Sequence, residues 1–159
     1  MKIIEDIEAR RAAWTELRRD IHAHPELGFE EHRTAGIVAR ELKRMGLEVH
    51  EGIAGTGVVA TWSRGSGRSI GLRADMDALP MSEKNTFEHR SRHDGRMHAC
   101  GHDGHTAMML GMAKIWAAHR EEIEGTIVFL FQPNEEDAGA QIMIDDCVMD
   151  VTGKPDAIF

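Results

Sequence analysis

Reactive side chains are densest in residues 98–105, which read HACGHDGH. A thiolate and a neutral imidazole are side chains that bind zinc and similar divalent ions. Gly101 lets the backbone turn so that Cys100 and His102 point toward one centre. The segment therefore predicts a metal site. The alternative is a polar loop with a buried structural cysteine and histidines that face solvent.

A second candidate is the pair Glu135-Glu136, which follows the apolar run 126–131 and the Gln132-Pro133 break. Ligands collect at the carboxyl ends of strands in open α/β sheets. There, one carboxylate can bind a metal while the other acts as general base toward a nearby water. The alternative is a solvated helix start, and the spacing alone does not assign the two roles.

Asp75 and Asp77 form a third group, just past the predicted strand 70–73. Alternate residues of an extended segment face the same way, so both carboxylates are able to line one cavity. Turn-forming or capping aspartates explain them equally well. His22 and His24 have metal-binding side chains, and a favourable position at a helix C-terminus explains them as simply.

The elements that must position these groups follow from hydrophobic spacing and from glycine and proline breaks. The spacing predicts helices over Ile3–Ile21, Glu30–Met45, Asp103–His119 and Ala138–Val148. It predicts strands around Leu47 and Val49, at 57–62, 70–73 and 126–131, and starting at 155–159. Gly46 suits a left-handed helix cap. The third helix is expected to bury Met108, Met109, Met112, Ile115 and Trp116.

Composition narrows the class of protein. The 159 residues include 27 acidic and 19 basic side chains, a net charge of −8, which is atypical of nucleic-acid binders and fits one ordinary domain. No run approaches the roughly 18 apolar residues of a membrane span. The N-terminus lacks the pattern of a signal peptide, and two cysteines make no disulfide framework, so we expect a cytoplasmic protein. Phosphate-loop, dinucleotide-binding, serine-hydrolase and HExxH motifs do not occur.

Four segments together resemble the amidohydrolase branch of the metal-dependent aminoacylase and carboxypeptidase superfamily. That branch includes hippurate hydrolases, N-acyl-amino-acid amidohydrolases and plant hydrolases of indole-acetyl amino acids. The segments occur in family order and are 19–27 (RDIHAHPEL), 72–80 (LRADMDALP), 97–108 (MHACGHDGHTAM) and 131–136 (FQPNEE). The resemblance implies an α/β fold, the N-terminal part of a mixed-sheet, three-layer metallopeptidase-like catalytic domain.

The resemblance also implies a centre of two divalent metal ions, with zinc, manganese, cobalt and nickel not distinguished. Residues that match the family's metal ligands are Cys100, His102 and Glu136. Glu135 matches the general base, which takes a proton from the attacking water and passes it to the leaving amine. Residues expected to orient the ligands are Asp75, Asp77, Asp103 and His105. The implied substrates are N-acyl amino acids such as hippurate.

The resemblance implies that residues 1–159 are a partial catalytic domain. Family members continue with further metal-binding histidines and with an inserted smaller domain, which dimerises and helps to close over substrate. Full-length relatives are expected to be homodimers or homotetramers, and this chain alone is expected to have little turnover. Three alternatives remain: a natural short binding or regulatory module, a decayed remnant without function, and a purely structural zinc domain.

Overall fold

A computed structural model describes residues 3–159. Its helices are α1 (Ile3–Ala23), α2 (His32–Arg44), α3 (His102–Ala118), α4 (Gly139–Asp145) and α5 (Val148–Thr152). Its strands are β1 (Glu48–Ile53), β2 (Gly57–Arg64), β3 (Ser69–Asp75), β4 (Gly125–Gln132) and β5 (Ala157–Ile158). Within this range, each helix is either too short or too polar to span a membrane.

The strands form one mixed sheet in the order β1-β2-β4-β3-β5. β1 pairs antiparallel with β2, and β2 pairs antiparallel with β4. β3 is parallel to β4 and to β5. The carboxyl ends of β3 and β4 therefore meet at one edge of the sheet, where Asp75 is in register with Gln132.

Alternating side chains of β4 enter two separate cores. Ile127, Phe129 and Phe131 join the core beneath α2 and α3. Val128 and Leu130 join a smaller core with residues of α4 and α5. Helices cover both faces of this strand, which is apolar from Ile127 to Phe131, so the chain has the three-layer α/β arrangement that the resemblance implies.

The helix predicted over 138–148 is wrong in its extent, because the structure has two short helices there. Cys147 lies between them with φ = 62°, a left-handed conformation that does not continue a helix. Asp146 beside it accepts a hydrogen bond from the Ala54 backbone N–H at 2.7 Å. The break therefore comes from a contact with the β1–β2 connection that is distant in sequence.

The prediction that Met108 of α3 is buried is also wrong. Met108 is 66% exposed, whereas Met109 next to it is buried. Consecutive helical residues lie about 100° apart, so only one of the two faces the sheet. Met108 instead lines a groove of about 770 Å³ between α1 and α3, together with Trp14 and Met112.

Candidate metal centre

The sheet brings the predicted site residues to one edge. Asp75 ends β3, and Asp77 follows it by two residues. Glu135 and Glu136 follow the end of the neighbouring strand β4 in a single helical turn. The third segment enters through Gly101, whose φ of 92° suits glycine and places His102 at the first position of α3.

His102 lies at the centre of this group and is buried. Its Nδ1 lies 2.9 Å from the Asp77 carbonyl oxygen and 3.1 Å from Asp77 Oδ1, both of which are acceptors. Nδ1 must therefore carry the proton, which leaves Nε2 as an electron-pair donor. Nε2 faces three carboxylates, at 3.7 Å from Asp75, 3.8 Å from Glu135 and 3.9 Å from Glu136.

These contacts also affect proton affinities. Burial opposes charge on His102, but the hydrogen bond to Asp77 and the charges of Asp75 and Asp77 outweigh it and raise the pKa of the imidazole. Burial by itself would raise the pKa of Asp77. The hydrogen bonds from His102 and from the backbone N–H groups of Glu135 and Glu136 outweigh burial and lower that pKa. Asp77 is thus an acceptor that stays ionised beneath the ring.

Two groups of side chains in the described range have the composition and closeness of a metal site. One contains Cys100, His102 and Glu136, and the other contains Asp75, His102 and His105. Within each group the donor atoms lie within 4.8 Å of one another. Thiolate, imidazole and carboxylate fit a borderline divalent ion, so the donor set suits the predicted metal.

Cys100 is exposed and lies beside Glu136. Its hydrogen bond to Glu136, reinforced by partial burial and the charges of Glu136, Glu135 and Asp75, raises the thiol pKa to about 11. Without a cation the thiol keeps its proton at neutral pH. Metal binding at Cys100 would therefore release that proton.

Glu135 lies beside this group rather than within it. Its side chain is 34% exposed, and its Oε1 is 3.6 Å from the Arg73 guanidinium. Arg73 also lies 3.4 Å from Asp75 and donates from Nε to Gln132 at 2.8 Å. Arg73 is thus a cation among the acidic groups that the sequence analysis missed. The signal was available, because Arg73 precedes Asp75 by two residues on one strand and shares its face.

The remaining predicted site residues contact different partners. His105 Nδ1 lies 2.6 Å from Asp75, so His105 is held against the group. Asp103 is fully buried, and its recorded bonds reach α1, from Arg18 at 3.0 Å and His22 at 2.8 Å. His22 belongs to neither candidate metal group. Asp103 therefore ties the start of α3 to α1.

His22 has a second partner that the sequence analysis did not anticipate. Its Nε2 lies 3.2 Å from Glu83, in the irregular segment 81–101. Glu83 also accepts the backbone N–H of Ser91. These bonds fix the loop that leads into Cys100. His24 makes a hydrogen bond within α1 and its C-terminal end instead, because its Nδ1 lies 2.8 Å from the Asp20 carbonyl oxygen.

Residues 71–159, which are more than half of the chain, match the model of peptidase family M20/M25/M40. The chain belongs to the M20/M25/M40 family. It is 45% identical over 152 residues to the N-acyl-L-amino acid amidohydrolase of Geobacillus stearothermophilus, a match to 94% of this chain and 40% of that protein. It is 45% identical over 148 residues to the hippurate hydrolase of Campylobacter jejuni, a match to 92% of this chain and 38% of that protein.

Solved structures place this M20 chain in the same fold. The Bacillus subtilis YXEP protein, a dinuclear metal binding peptidase of the M20 family, superposes with a TM-score of 0.88 at 40% identity. The match covers 96% of this chain and 42% of that one. The chain therefore spans about two fifths of the length of these relatives, and what it covers corresponds to the N-terminal part of the M20 catalytic fold.

Proposed function

We propose that this chain carries the general base and part of the metal-binding residues of an amidohydrolase that cleaves N-acyl amino acids. The observation that carries the proposal is the convergence of Cys100, His102 and Glu136, with the Glu135 carboxylate 3.8 Å from the same imidazole. The relatives named for hydrolysis of N-acyl amino acids and of hippurate support this small-molecule substrate class.

The metal ligands we propose are Cys100, His102 and Glu136, with Asp75 and His105 next to them. Two ions per site are supported by the dinuclear M20 neighbour, and the donor types suit zinc, manganese, cobalt or nickel. When bound, divalent ions supply Lewis acidity, which polarises an amide carbonyl and lowers the pKa of water to about 7.

The roles of the protein groups follow from their positions. Glu135, partly exposed and outside the donor cluster, takes the proton of the attacking water and delivers it to the leaving amine nitrogen. Asp77 holds the Nδ1–H of His102, so that in the neutral ring the lone pair lies on Nε2. Arg73 contacts Glu135 Oε1 and limits the directions in which the carboxylate turns.

The share of the relatives that this chain covers supports a further proposal, that residues 1–159 are part of a catalytic domain. Each candidate group contains only three protein donors from the described residues. We therefore expect the 159-residue chain to bind metal yet to show little or no turnover of hippurate.

A chimera provides the sharpest test of the activity. We would replace the matching segment of the Geobacillus amidohydrolase with this chain, which is 45% identical there. The chimera should hydrolyse N-acyl amino acids, as followed by release of the free amino acid. Glu135→Gln should lower kcat by about 10²- to 10⁴-fold, the usual contribution of a general base.

The matched control is Glu16→Gln on exposed α1, which should leave kcat unchanged. A folded, metal-loaded chimera that hydrolyses none of these substrates would overturn the proposal. So would a chimera whose activity is insensitive to Glu135→Gln. In the isolated chain, elemental analysis should find bound metal that is lost in Cys100→Ala.

A further inference from the structure

Glu31 is a carboxylate that the proposed chemistry does not use, and it is completely buried. It occupies the residue just before α2, where a side chain would ordinarily cap the helix, but it makes no capping hydrogen bond. Glu26 does that instead, accepting the backbone N–H groups of Arg33 and Thr34 at 2.8 Å each. Stabilising the helix end therefore does not explain Glu31.

The Glu31 carboxylate instead accepts two hydrogen bonds from distant parts of the chain. Thr56 Oγ1, between β1 and β2, donates to Oε2 at 2.5 Å. The backbone N–H of Asn134 donates to Oε1 at 2.8 Å. Burial raises the pKa of Glu31 in spite of these two bonds. A carboxylate is costly to bury, and these donors are what offsets the cost.

Asn134 is a left-handed residue directly before the two glutamates. Its φ of 48° and ψ of 51° lie in a region that asparagine adopts more readily than other residues with a side chain. Its side chain donates to the Asp137 carbonyl oxygen, and its own carbonyl oxygen accepts from Gly139 N–H, both at 2.8 Å. Its side chain also lies over Gly28, where an added Cβ would come within 1.9 Å of Oδ1.

The connection between α1 and α2 thus touches both acidic segments of the site. Its Glu31 and Gly28 hold Asn134, which leads into Glu135 and Glu136. Its Glu26 carbonyl oxygen accepts the N–H of Ala78, the residue after Asp77, at 2.8 Å. One connection therefore contacts both of the segments that follow β3 and β4.

We propose that Glu31 is a positioning residue, which fixes the left-handed Asn134 so that Glu135 and Glu136 face His102. The inference rests on the proposed roles of those two glutamates. It predicts that loss of the Glu31 acceptor loosens the turn locally, and that this loosening weakens metal binding beyond any general loss of stability.

The first readout needs no metal and is amide hydrogen exchange of the metal-free 159-residue chain, followed by NMR. Glu31→Ala should speed exchange at Asn134 at least about tenfold relative to wild type, the equivalent of one lost buried hydrogen bond. Glu31→Gln should restore slow exchange, because its amide oxygen accepts from Asn134 and its amide nitrogen donates to the Thr56 hydroxyl. The control is Val38→Ala, a buried α2 substitution away from the turn, which should not single out Asn134.

The second readout is cobalt titration of the same variants, followed by the visible absorption of bound Co²⁺. Glu31→Ala should weaken cobalt binding at least about tenfold more than Val38→Ala, and Glu31→Gln should stay within about threefold of wild type. Exchange at Asn134 that is no faster in Glu31→Ala than in Val38→Ala would overturn the inference. So would equal cobalt affinities for those two variants. If wild type binds no cobalt, the proposed function fails, while the exchange result still decides whether Glu31 holds the turn.

Discussion

At the level of residues, the main feature is that the two ring nitrogens of His102 have different roles. Asp77 Oδ1 accepts a hydrogen bond from the Nδ1–H of His102, and its other oxygen accepts one from the backbone N–H of Glu136 at 3.2 Å. A single buried carboxylate therefore orients a proposed ligand and also the backbone of a second one. In the neutral ring the proton lies on Nδ1, so the Nε2 lone pair is available to the metal that we propose.

Removing Asp77 should weaken metal binding. Asp77→Ala removes the side-chain acceptor of the His102 Nδ1–H and of the Glu136 N–H, and leaves the ring only the backbone carbonyl oxygen of residue 77. We therefore expect cobalt affinity to fall by about 10- to 100-fold. Competition titration against a chelator measures this. Asp145→Ala, on exposed α4, is the matched control and should bind cobalt like wild type. Unchanged affinity in Asp77→Ala would contradict the orienting role.

His98 gives a pH-dependent prediction for the metal-free chain. It is buried, neither ring nitrogen has a hydrogen-bond partner among the described residues, and burial lowers its pKa to about 4. The unfolded chain takes up this proton near pH 6.5, before the folded one does. The free energy of unfolding should therefore fall between pH 6.5 and pH 4, by up to about 3 kcal/mol from this residue.

His98→Phe should remove that component of the pH dependence. It should also stabilise the protein at pH 7 by about 1 kcal/mol or more, because an unpaired buried polar ring is replaced by an apolar one. Urea unfolding of both proteins from pH 4 to pH 7 measures the difference. Parallel stability curves would contradict the neutral, unpaired assignment.

At the level of elements, the tight turn after β4 is the part that must be built accurately. It reverses the chain between Pro133 and Gly139, where an added Cβ at Gly139 would lie 1.8 Å from the Pro133 carbonyl oxygen. An added Cβ at Gly57 of β2 would lie 3.2 Å from the Pro133 ring. The three atoms nearest to an added Cβ at Gly139 belong to the backbone of Pro133 and Asn134, so no flexible side chain is there to yield.

Two glycine substitutions separate this steric demand from ordinary helix propensity. Gly139→Ala should lower the free energy of unfolding by about 1–3 kcal/mol through overpacking. Gly36→Ala, in the interior of α2 with open space around its Cα, should raise it by about 0.5–1 kcal/mol. Urea unfolding at pH 7 measures both. A stabilising Gly139→Ala would show that the turn is not tightly packed.

At the scale of the whole molecule, the site joins separate parts of the chain. Cys100 and His102 lie at the start of α3, Asp75 ends β3, and Glu136 follows β4. The two cores of the sheet contain the apolar packing that stabilises the fold, and none of these proposed metal ligands belongs to either core. The fold should therefore form without metal and gain stability when a metal joins the segments.

Metal removal tests that expectation. The chelated protein should still unfold cooperatively, and cobalt at 100 times its dissociation constant should add about 2.7 kcal/mol to the free energy of unfolding. Thermal unfolding with EDTA or with cobalt measures the shift, which Cys100→Ser should abolish. A chain that is unfolded in EDTA would instead favour a purely structural zinc domain.

Short stretches of the sequence predict much of this arrangement. Three groups predict the proposed chemistry, because donor type and short spacing are properties of the chain itself: residues 98–105, the Glu135-Glu136 pair, and the alternating Asp75 and Asp77. The apolar run in β4 predicts a strand covered on both faces for the same reason. Hydrophobic periodicity also places α1, α2 and α3 to within about two residues.

Only the tertiary structure decided which groups meet. The break at Cys147, the exposure of Met108, the contact between Arg73 and Glu135 and the burial of Glu31 all depend on partners far along the chain. Hydrogen bonds and steric contacts between distant segments leave no periodic trace in a sequence. The sequence by itself therefore predicted the candidate groups and the strands, whereas contacts between distant segments decided the order of the strands and how those groups face one another.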